Sequence, residues 1–304
     1  MAMADVSVTG SSIRVWPSGQ ACGCRVSGVD LAALDEAGFR AVERVFNEHA
    51  VVAFNDQSLD EAGLLGFARR LGPIERHVSA AFHHPGTDEL TVLSNILKDG
   101  KNFGSEDAGQ GWHTDLSYDA VPARASILYA LQVPMKDGEP LGDTLFANMY
   151  AAYDALPAAW KTRLAGLKAE RDYAKFYTYM IEKKASPRPQ LTDAERRKKP
   201  PVEHPIVLRH PWTGRLSLYA DPGYTTRVLG VPAAASDEIL EFLFRHQTEA
   251  RFQYRHRWRL HDVLMWDNCA TIHMATGGYD RSTPRLMHRA QVLGDQGLYA
   301  QMNP

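Results

Sequence analysis

His113 and Asp115 stand two apart in GWHTDLSY, and His273 follows far downstream, shortly after MWDNCA. Imidazole and carboxylate groups are metal ligands. In an extended segment residues two apart project from one face, so His113 and Asp115 can reach a single ion while Trp112 and Thr114 point the other way. A His-x-Asp pair alone arises readily by chance. Two histidines and one carboxylate together, however, make up the facial set of non-heme Fe(II) oxygenases, which leaves coordination positions open on the opposite side.

A second feature lies in RLMHRAQVL, where Arg285, Met287 and Arg289 alternate onto one face with His288 opposite. Turning a guanidinium inward is costly unless a carboxylate, phosphate or sulfonate receives its planar fork of donors. The pattern therefore predicts anions bound beside the metal. Other candidates are weaker. Cys22 and Cys24 in ACGCR lack the second ligand pair that zinc requires, and with Cys269 they are too few for a disulfide framework. His83 and His84 read as solvent-facing loop residues, and the basic run RRKKP at 196–200 lacks the interleaved aromatics of an RNA site.

The elements that must position these residues fall into two stretches. The first carries a strand in RVSGVDL, a helix from Leu34 to Ala50 through Phe39, Val42 and Phe46, and a second strand, VVAF, at 51–54. Ser58 followed by Glu61 is a capping-box pattern, which predicts a helix running to Gly72. From about residue 89 come short β-rich runs, among them LTVLSN, GWHTDLSY, ASILYALQV, DTLFAN, DVLMW and RLMHRAQVL, with helices at about 147–167 and 236–248. Many short strands punctuated by Pro and Gly predict an α+β chain with a mostly β core, an antiparallel jelly roll with flanking helices, forming one domain over 1–304. Residues 183–203 are rich in Lys, Arg and Pro, and are either a lid over the site or a solvated excursion.

Composition narrows the function classes. With 304 residues, 44% hydrophobic and 23% charged, the chain can bury about three quarters of its unfolded surface, which excludes disorder. Thirty-four Lys and Arg against 36 Asp and Glu leave a net charge of −2, with no global field for nucleic acid or an acidic membrane. No signal-peptide pattern opens the sequence and no apolar run reaches the length of a membrane span, so a cytoplasmic protein is expected.

WHTD, GDTLFA, MWDN, His273 and RLMHR, in this order, resemble the taurine and 2,4-dichlorophenoxyacetate (TauD/TfdA) branch of the Fe(II)/2-oxoglutarate dioxygenases. The resemblance runs from GCRVSGVDL to VLGD and implies a double-stranded β-helix of the cupin-like kind. It implies that His113, Asp115 and His273 hold Fe(II). It further implies that Arg289 takes the distal carboxylate of 2-oxoglutarate with a hydrogen bond from Thr144, and that Arg285 binds an anionic group of the primary substrate. Trp266 would line the metal pocket, with His77 and Tyr118 near the substrate. The implied reaction consumes O2 and 2-oxoglutarate, hydroxylates a C–H bond of a small anionic sulfonate or carboxylate, and releases succinate and CO2. Relatives commonly form dimers or tetramers, so a homo-oligomer is expected. The chain departs from the taurine pattern at Gly109, where an asparagine is expected, and at Ala81, where an aromatic hydroxyl is expected, which argues against taurine itself. Two alternatives use the same ligands: a catalytically silent jelly-roll metal-binding protein, and a zinc hydrolase with a metal-bound water.

Overall fold

Alternation along each strand decides which residues enter the core. In Ala125–Gln132, Ile127 and Tyr129 face one hydrophobic layer while Leu128 and Ala130 face another. Val263–Asp267 repeats the pattern, with Val263 and Met265 on the first side and Leu264 and Trp266 on the second. Strands buried on both faces have to be sandwiched. The computed structural model, which describes residues 4–8, 11–184, 186 and 190–300, shows how.

A nine-stranded sheet runs in the order Ala4–Val8, Ser11–Pro17, Cys24–Ser27, Val51–Phe54, Val263–Asp267, Ala125–Gln132, Leu286–Val292, Thr87–Ser94 and His83–His84. Neighbours are antiparallel except Cys24–Ser27 with Val51–Phe54. Its outer face packs on helices Glu36–His49 and Glu61–Arg69 through Phe39, Val42, Phe46, Leu64 and Phe67. Its inner face meets a three-stranded sheet of Gln253–His256, Thr144–Asn148 and Thr271–Ala275, and Leu93, Leu128, Phe146, Trp258, Trp266 and Met287 fill the space between. The far side of the small sheet is covered by helices Met149–Asp154, Ala158–Leu164 and Ala233–Gln247. Two facing sheets with flanking helices are the jelly-roll architecture expected from the strand pattern. Among the described residues, no helix is long and apolar enough to cross a membrane.

Local signals account for most boundaries. Asp35 caps the first helix by accepting from Gly38 N–H at 2.7 Å. The second helix is capped by Asp60, which accepts from Gly63 N–H at 2.7 Å, and not by the Ser58/Glu61 box, because Glu61 is itself the first helical residue. The helix expected over 147–167 is divided at Leu156–Pro157, where proline has no N–H for the preceding turn. GWHTDLSY is not a strand. His113 makes one isolated bridge, and the chain then turns at Leu116, whose φ is 53°. A helix at Tyr173–Lys184 was not expected, although Tyr173, Phe176, Tyr177 and Met180 bury at helical spacing. In the 183–203 stretch, residues 185 and 187–189 lie outside the described residues. The remainder holds the end of that helix and a short helix, Asp193–Lys198, closed by a Thr192/Glu195 capping box.

Candidate metal centre and its two arginines

His273 sits on the inner face of Thr271–Ala275, and backbone pairing brings His113 to it. The N–H of His113 donates to His273 O at 3.0 Å and the N–H of His273 donates back to His113 O at 2.7 Å. The rings are 4.2 Å apart between centroids. Asp115 enters from the following turn, its Oδ1 3.6 Å from His113 Nε2 and its Oδ2 3.9 Å from His273 Nε2. One potential ligand atom from each residue lies within 4.8 Å of the others, and all three residues are buried. His113 Nδ1 lies 2.7 Å from Gly111 O, a contact that holds the proton on Nδ1 and turns the Nε2 lone pair toward Asp115. Trp266 packs on His273 with ring centroids 4.9 Å apart, and Phe176 stacks on His113 at 5.4 Å.

Two of the three charge states already suit a cation. Burial alone would raise the Asp115 carboxyl, but the positive charge of Arg289 and the two imidazoles beside it outweigh burial and hold the group well below the usual carboxylate range. Burial would lower His113, but the hydrogen bond and charge of Asp115 outweigh it and raise His113 above the ordinary imidazole value, so an ion bound there displaces a proton. Burial and the neighbouring His113 push His273 down to about 3, so its imidazole is neutral at ordinary pH. A carboxylate and a neutral imidazole are the forms that bind metal. Two histidines and one carboxylate, held from behind by Gly111 O and the Ser126 hydroxyl, fit Fe(II).

The two arginines lie in different surroundings. Both lie on Leu286–Val292 or at its entry, with His288 on the outer face against His84. Arg289 points to the metal: its Nη1 is 3.7 Å from Asp115 Oδ1 and its Nε donates to Thr91 Oγ1 at 3.2 Å. The cavity it lines also contains His77, His113, Asp115, Tyr118 and Phe176. Thr144 does not line that cavity; its Oγ1 accepts from Trp258 Nε1 at 3.1 Å. Arg285 instead lies against the Gly142 turn that leads into Thr144, where a Cβ on Gly142 would be 3.8 Å from Arg285 Nε. Thr144 thus lies on the side of Arg285 and the Gly142 turn, while Arg289 lies beside Asp115. Arg285 precedes the strand, and the pairing register shifts between Leu286 and Met287, so the two guanidinium groups leave the chain on either side of an irregularity.

Arg285 is 4% exposed, and its Nε is buried without a hydrogen-bond partner. Its backbone N–H donates to Asn95 Oδ1 at 2.7 Å, but no carboxylate among the described residues pairs with its guanidinium. A buried cation left this way fits an anionic ligand. His77 Nδ1 lies 3.1 Å from Ser79 N and 3.3 Å from Ser79 O, which fixes the ring's orientation beside the cavity. Burial, then the charge of Arg289, drives His77 down to about 3.

Sequence reasoning missed the residues behind the ligands. Ser126 Oγ donates to Asp115 Oδ2 at 2.6 Å and accepts from Asn268 Nδ2 at 3.1 Å. Asp267 receives Arg124 Nη1 at 2.8 Å, contacts His210 Nε2 at 3.0 Å and accepts the Cys269 N–H at 2.9 Å, which fixes the corner leading to His273. MWDN carried the available signal, since an Asp-Asn pair at a strand end marks a side-chain-supported turn. Glu61, His84 and His288 form a second cluster of possible ligands. There Gly86 N–H donates to His84 Nδ1 at 3.1 Å, which leaves the ring proton on Nε2 facing Glu61 Oε1 at 3.5 Å, a His–Glu bridge.

Known proteins resemble this chain in sequence and fold. The chain is 35% identical over 285 residues to the alpha-ketoglutarate-dependent 2,4-dichlorophenoxyacetate dioxygenase of Cupriavidus pinatubonensis, covering 89% of this chain and 94% of that protein. It is 30% identical to the (S)-phenoxypropionate/alpha-ketoglutarate-dioxygenase of Sphingobium herbicidovorans, covering 90% and 92%. The crystal structure of AAD-2 in complex with Mn(II) and N-oxalylglycine superposes with a TM-score of 0.78 at 31% identity, over 94% of this chain and 98% of that one. The family described as "Taurine catabolism dioxygenase TauD, TfdA family" matches residues 15–291. With its metal-competent triad and two inward arginines, the chain belongs to the TauD/TfdA family of dioxygenases that use Fe(II), 2-oxoglutarate and O2.

Proposed function

We propose that this enzyme hydroxylates a small arylalkanoate carboxylate, with His113, Asp115 and His273 holding Fe(II), Arg285 receiving the distal carboxylate of 2-oxoglutarate beside Thr144, and Arg289 with His77 receiving the substrate carboxylate. The observation that carries this reading is the separation of the two guanidinium groups, one beside the triad and one against the Gly142 turn. Two anions bound at two separate guanidinium groups are what a co-substrate and a substrate require. A silent metal-binding protein or a zinc hydrolase has no use for Arg285.

When bound, Fe(II) and 2-oxoglutarate supply the oxidising chemistry, and dioxygen is consumed with release of succinate and CO2. The chain's own groups do the rest. Arg285 offers a planar fork that fixes the outer end of the co-substrate, so its keto acid end is oriented toward the triad before reaction. Arg289 donates from its guanidinium and His77 lines the same cavity, and a carboxylate bound there would sit beside Asp115. Tyr118, Tyr173, Phe176 and Tyr224 share one aromatic cluster next to this position. An aromatic wall favours an aryl group over the short polar chain of taurine. Both named relatives act on aryloxyalkanoates by their descriptions, which supports the same class here.

Residues 190–203 act as the lid in this reading. Leu191 joins the aromatic cluster, and Lys199 Nζ bonds both oxygens of Asp119 at 2.7 and 2.8 Å, close to Tyr118. Phe176 borders both the metal cavity and an outer groove of about 650 Å3 lined by Trp112, Tyr179 and Lys184. This groove gives a longer substrate room to extend. The test is a screen of phenoxyalkanoates, other arylalkanoates and sulfonates for succinate release that depends on the added compound. Anaerobic Fe(II) and 2-oxoglutarate should give a visible charge-transfer band. A colourless mixture, or succinate release driven by taurine and not by arylalkanoates, would overturn the proposal.

A further inference from the structure

We propose that Ser126 is a positioning residue that restricts Asp115 to ligation of the metal through one oxygen, Oδ1; the inference rests on Asp115 being a ligand. Both carboxylate oxygens are within reach of an ion held by the histidines. Oδ1 is 3.6 Å from His113 Nε2, and Oδ2 is 3.9 Å from His273 Nε2. What distinguishes them is the Ser126 hydroxyl, 2.6 Å from Oδ2.

The direction of that hydrogen bond is forced. Asn268 Nδ2 donates to Ser126 Oγ at 3.1 Å, and a carboxylate can only accept, so the single hydroxyl proton of Ser126 goes to Oδ2. A short O–H···O⁻ bond belongs to the strong, charge-assisted class. Asn268 is itself held, because Thr114 Oγ1 donates to its backbone O at 2.7 Å and approaches its Oδ1 at 3.4 Å. Thr114 lies between the two ligands in sequence, so the relay returns to the loop it supports. Ser126 is fully buried and Thr114, Asp115 and Asn268 are almost so, and water cannot substitute freely for any link. Oδ1 is left facing His113 and the Arg289 guanidinium, which is 3.7 Å away.

The consequence concerns coordination number. A carboxylate that closes on the ion with both oxygens takes one of the positions that 2-oxoglutarate and dioxygen need. By occupying Oδ2, Ser126 keeps that position open.

The experiment compares Ser126→Ala, Ser126→Cys, Asn268→Leu and Asp115→Ala with wild type, each as apo-protein titrated with Co2+ alone and then, saturated with Co2+, with 2-oxoglutarate under anaerobic calorimetry. Thermal unfolding is recorded for every variant. Ser126→Ala is expected to bind 2-oxoglutarate about 10–100-fold more weakly, with a changed Co(II) visible spectrum; Ser126→Cys, a weaker donor, should fall between it and wild type. Asn268→Leu removes the donor that holds Ser126 Oγ in place, leaves its hydroxyl free to rotate away from Oδ2, and should shift the affinity in the same direction by less. Should Ser126→Ala fail to fold, the order wild type, Asn268→Leu, Ser126→Cys still decides. Wild-type 2-oxoglutarate affinity and an unchanged Co(II) spectrum in the folded serine variants overturn the positioning role. If Asp115→Ala keeps wild-type Co2+ affinity, the ligand assignment itself fails; if it loses Co2+ while the serine variants behave as wild type, only the positioning role fails.

Discussion

His113 and His273 exchange both of their backbone hydrogen bonds, at 3.0 and 2.7 Å, across an isolated bridge. The two imidazoles are thereby fixed relative to each other by main chain and not by side-chain packing alone. The strand that carries His273 is in turn anchored by the Asp267–Cys269 corner and by pairing to Thr144–Asn148. A metal centre built this way is preorganised before any ion arrives.

His273→Ala should remove a ligand while leaving the bridge intact, because the bridge uses only backbone atoms. Co2+ or Mn2+ affinity should fall by more than the roughly 10–100-fold lost when an outer-shell partner is removed, with little change in unfolding temperature. Equilibrium metal titration of the apo-protein, read beside circular dichroism, tests this. Retention of wild-type affinity would remove His273 from the centre.

The two arginines should separate kinetically. Removing a charged hydrogen-bond partner costs about 1.5–3 kcal/mol, or roughly 10–100-fold in affinity. Arg285→Ala should raise the 2-oxoglutarate concentration needed for half-saturation by that factor while leaving the KM of the primary substrate nearly unchanged. Arg289→Ala should do the reverse. Steady-state kinetics varying each substrate in turn decides between this assignment and the opposite one expected from the sequence.

Gly223→Ala probes the back of the centre. A Cβ at Gly223 would lie 2.8 Å from His113 Cβ, a distance that forces one of the two to move. Overpacking of this kind costs about 1–3 kcal/mol. The variant should unfold at lower denaturant and bind metal more weakly, because the displaced atom carries a ligand. Wild-type metal affinity in a destabilised Gly223→Ala would show that His113 is held by the bridge alone.

Acid should destabilise the fold earlier than carboxylate titration requires. His204 is fully buried, contacts Asp119 O through Nε2 at 2.8 Å and meets the Tyr299 hydroxyl through Nδ1. Burial, then the charge of Arg171, depresses it to about 3. The unfolded chain, with its histidine near 6.5, therefore binds the proton first. The contribution of neutral His204 is complete above about pH 6.5 and is lost as pH falls from there toward 3, by about 1.4 kcal/mol per pH unit. His77, also near 3, adds a parallel loss. Denaturant midpoints measured from pH 7.5 to 4.5 should decline in wild type and decline less steeply in His204→Gln. Equal slopes would remove His204 as a source.

Residue type and period sufficed for much of this protein. Period-two alternation placed Met287 and Arg289 inside and His288 outside, and the order of WHTD, GDT, WDN and RLMHR was enough to identify the family. The triad was legible because few side chains bind metal and only a handful of them fall in such motifs. Helix ends were less secure, as Asp60 in place of Ser58 shows, because two acceptors two residues apart can cap the same helix and packing selects between them.

Tertiary structure decided what depends on distance between separate elements. A strand pattern says that Arg285 and Arg289 share a face, but not that the Gly142 turn arrives beside one and the metal beside the other. It also cannot show that Ser126, on a neighbouring strand, reaches Asp115, since a serine in a β-rich run looks like any other small polar residue. Those relationships come from sheet order and register, in which Ser126 is paired with Trp266 and Gln291, and register is set by the packing of whole sheets. Sequence by itself determined which chemical groups are available to this enzyme. Only the closed pair of sheets determined which oxygen, which nitrogen and which guanidinium face each other, because each of those choices is a distance across the core.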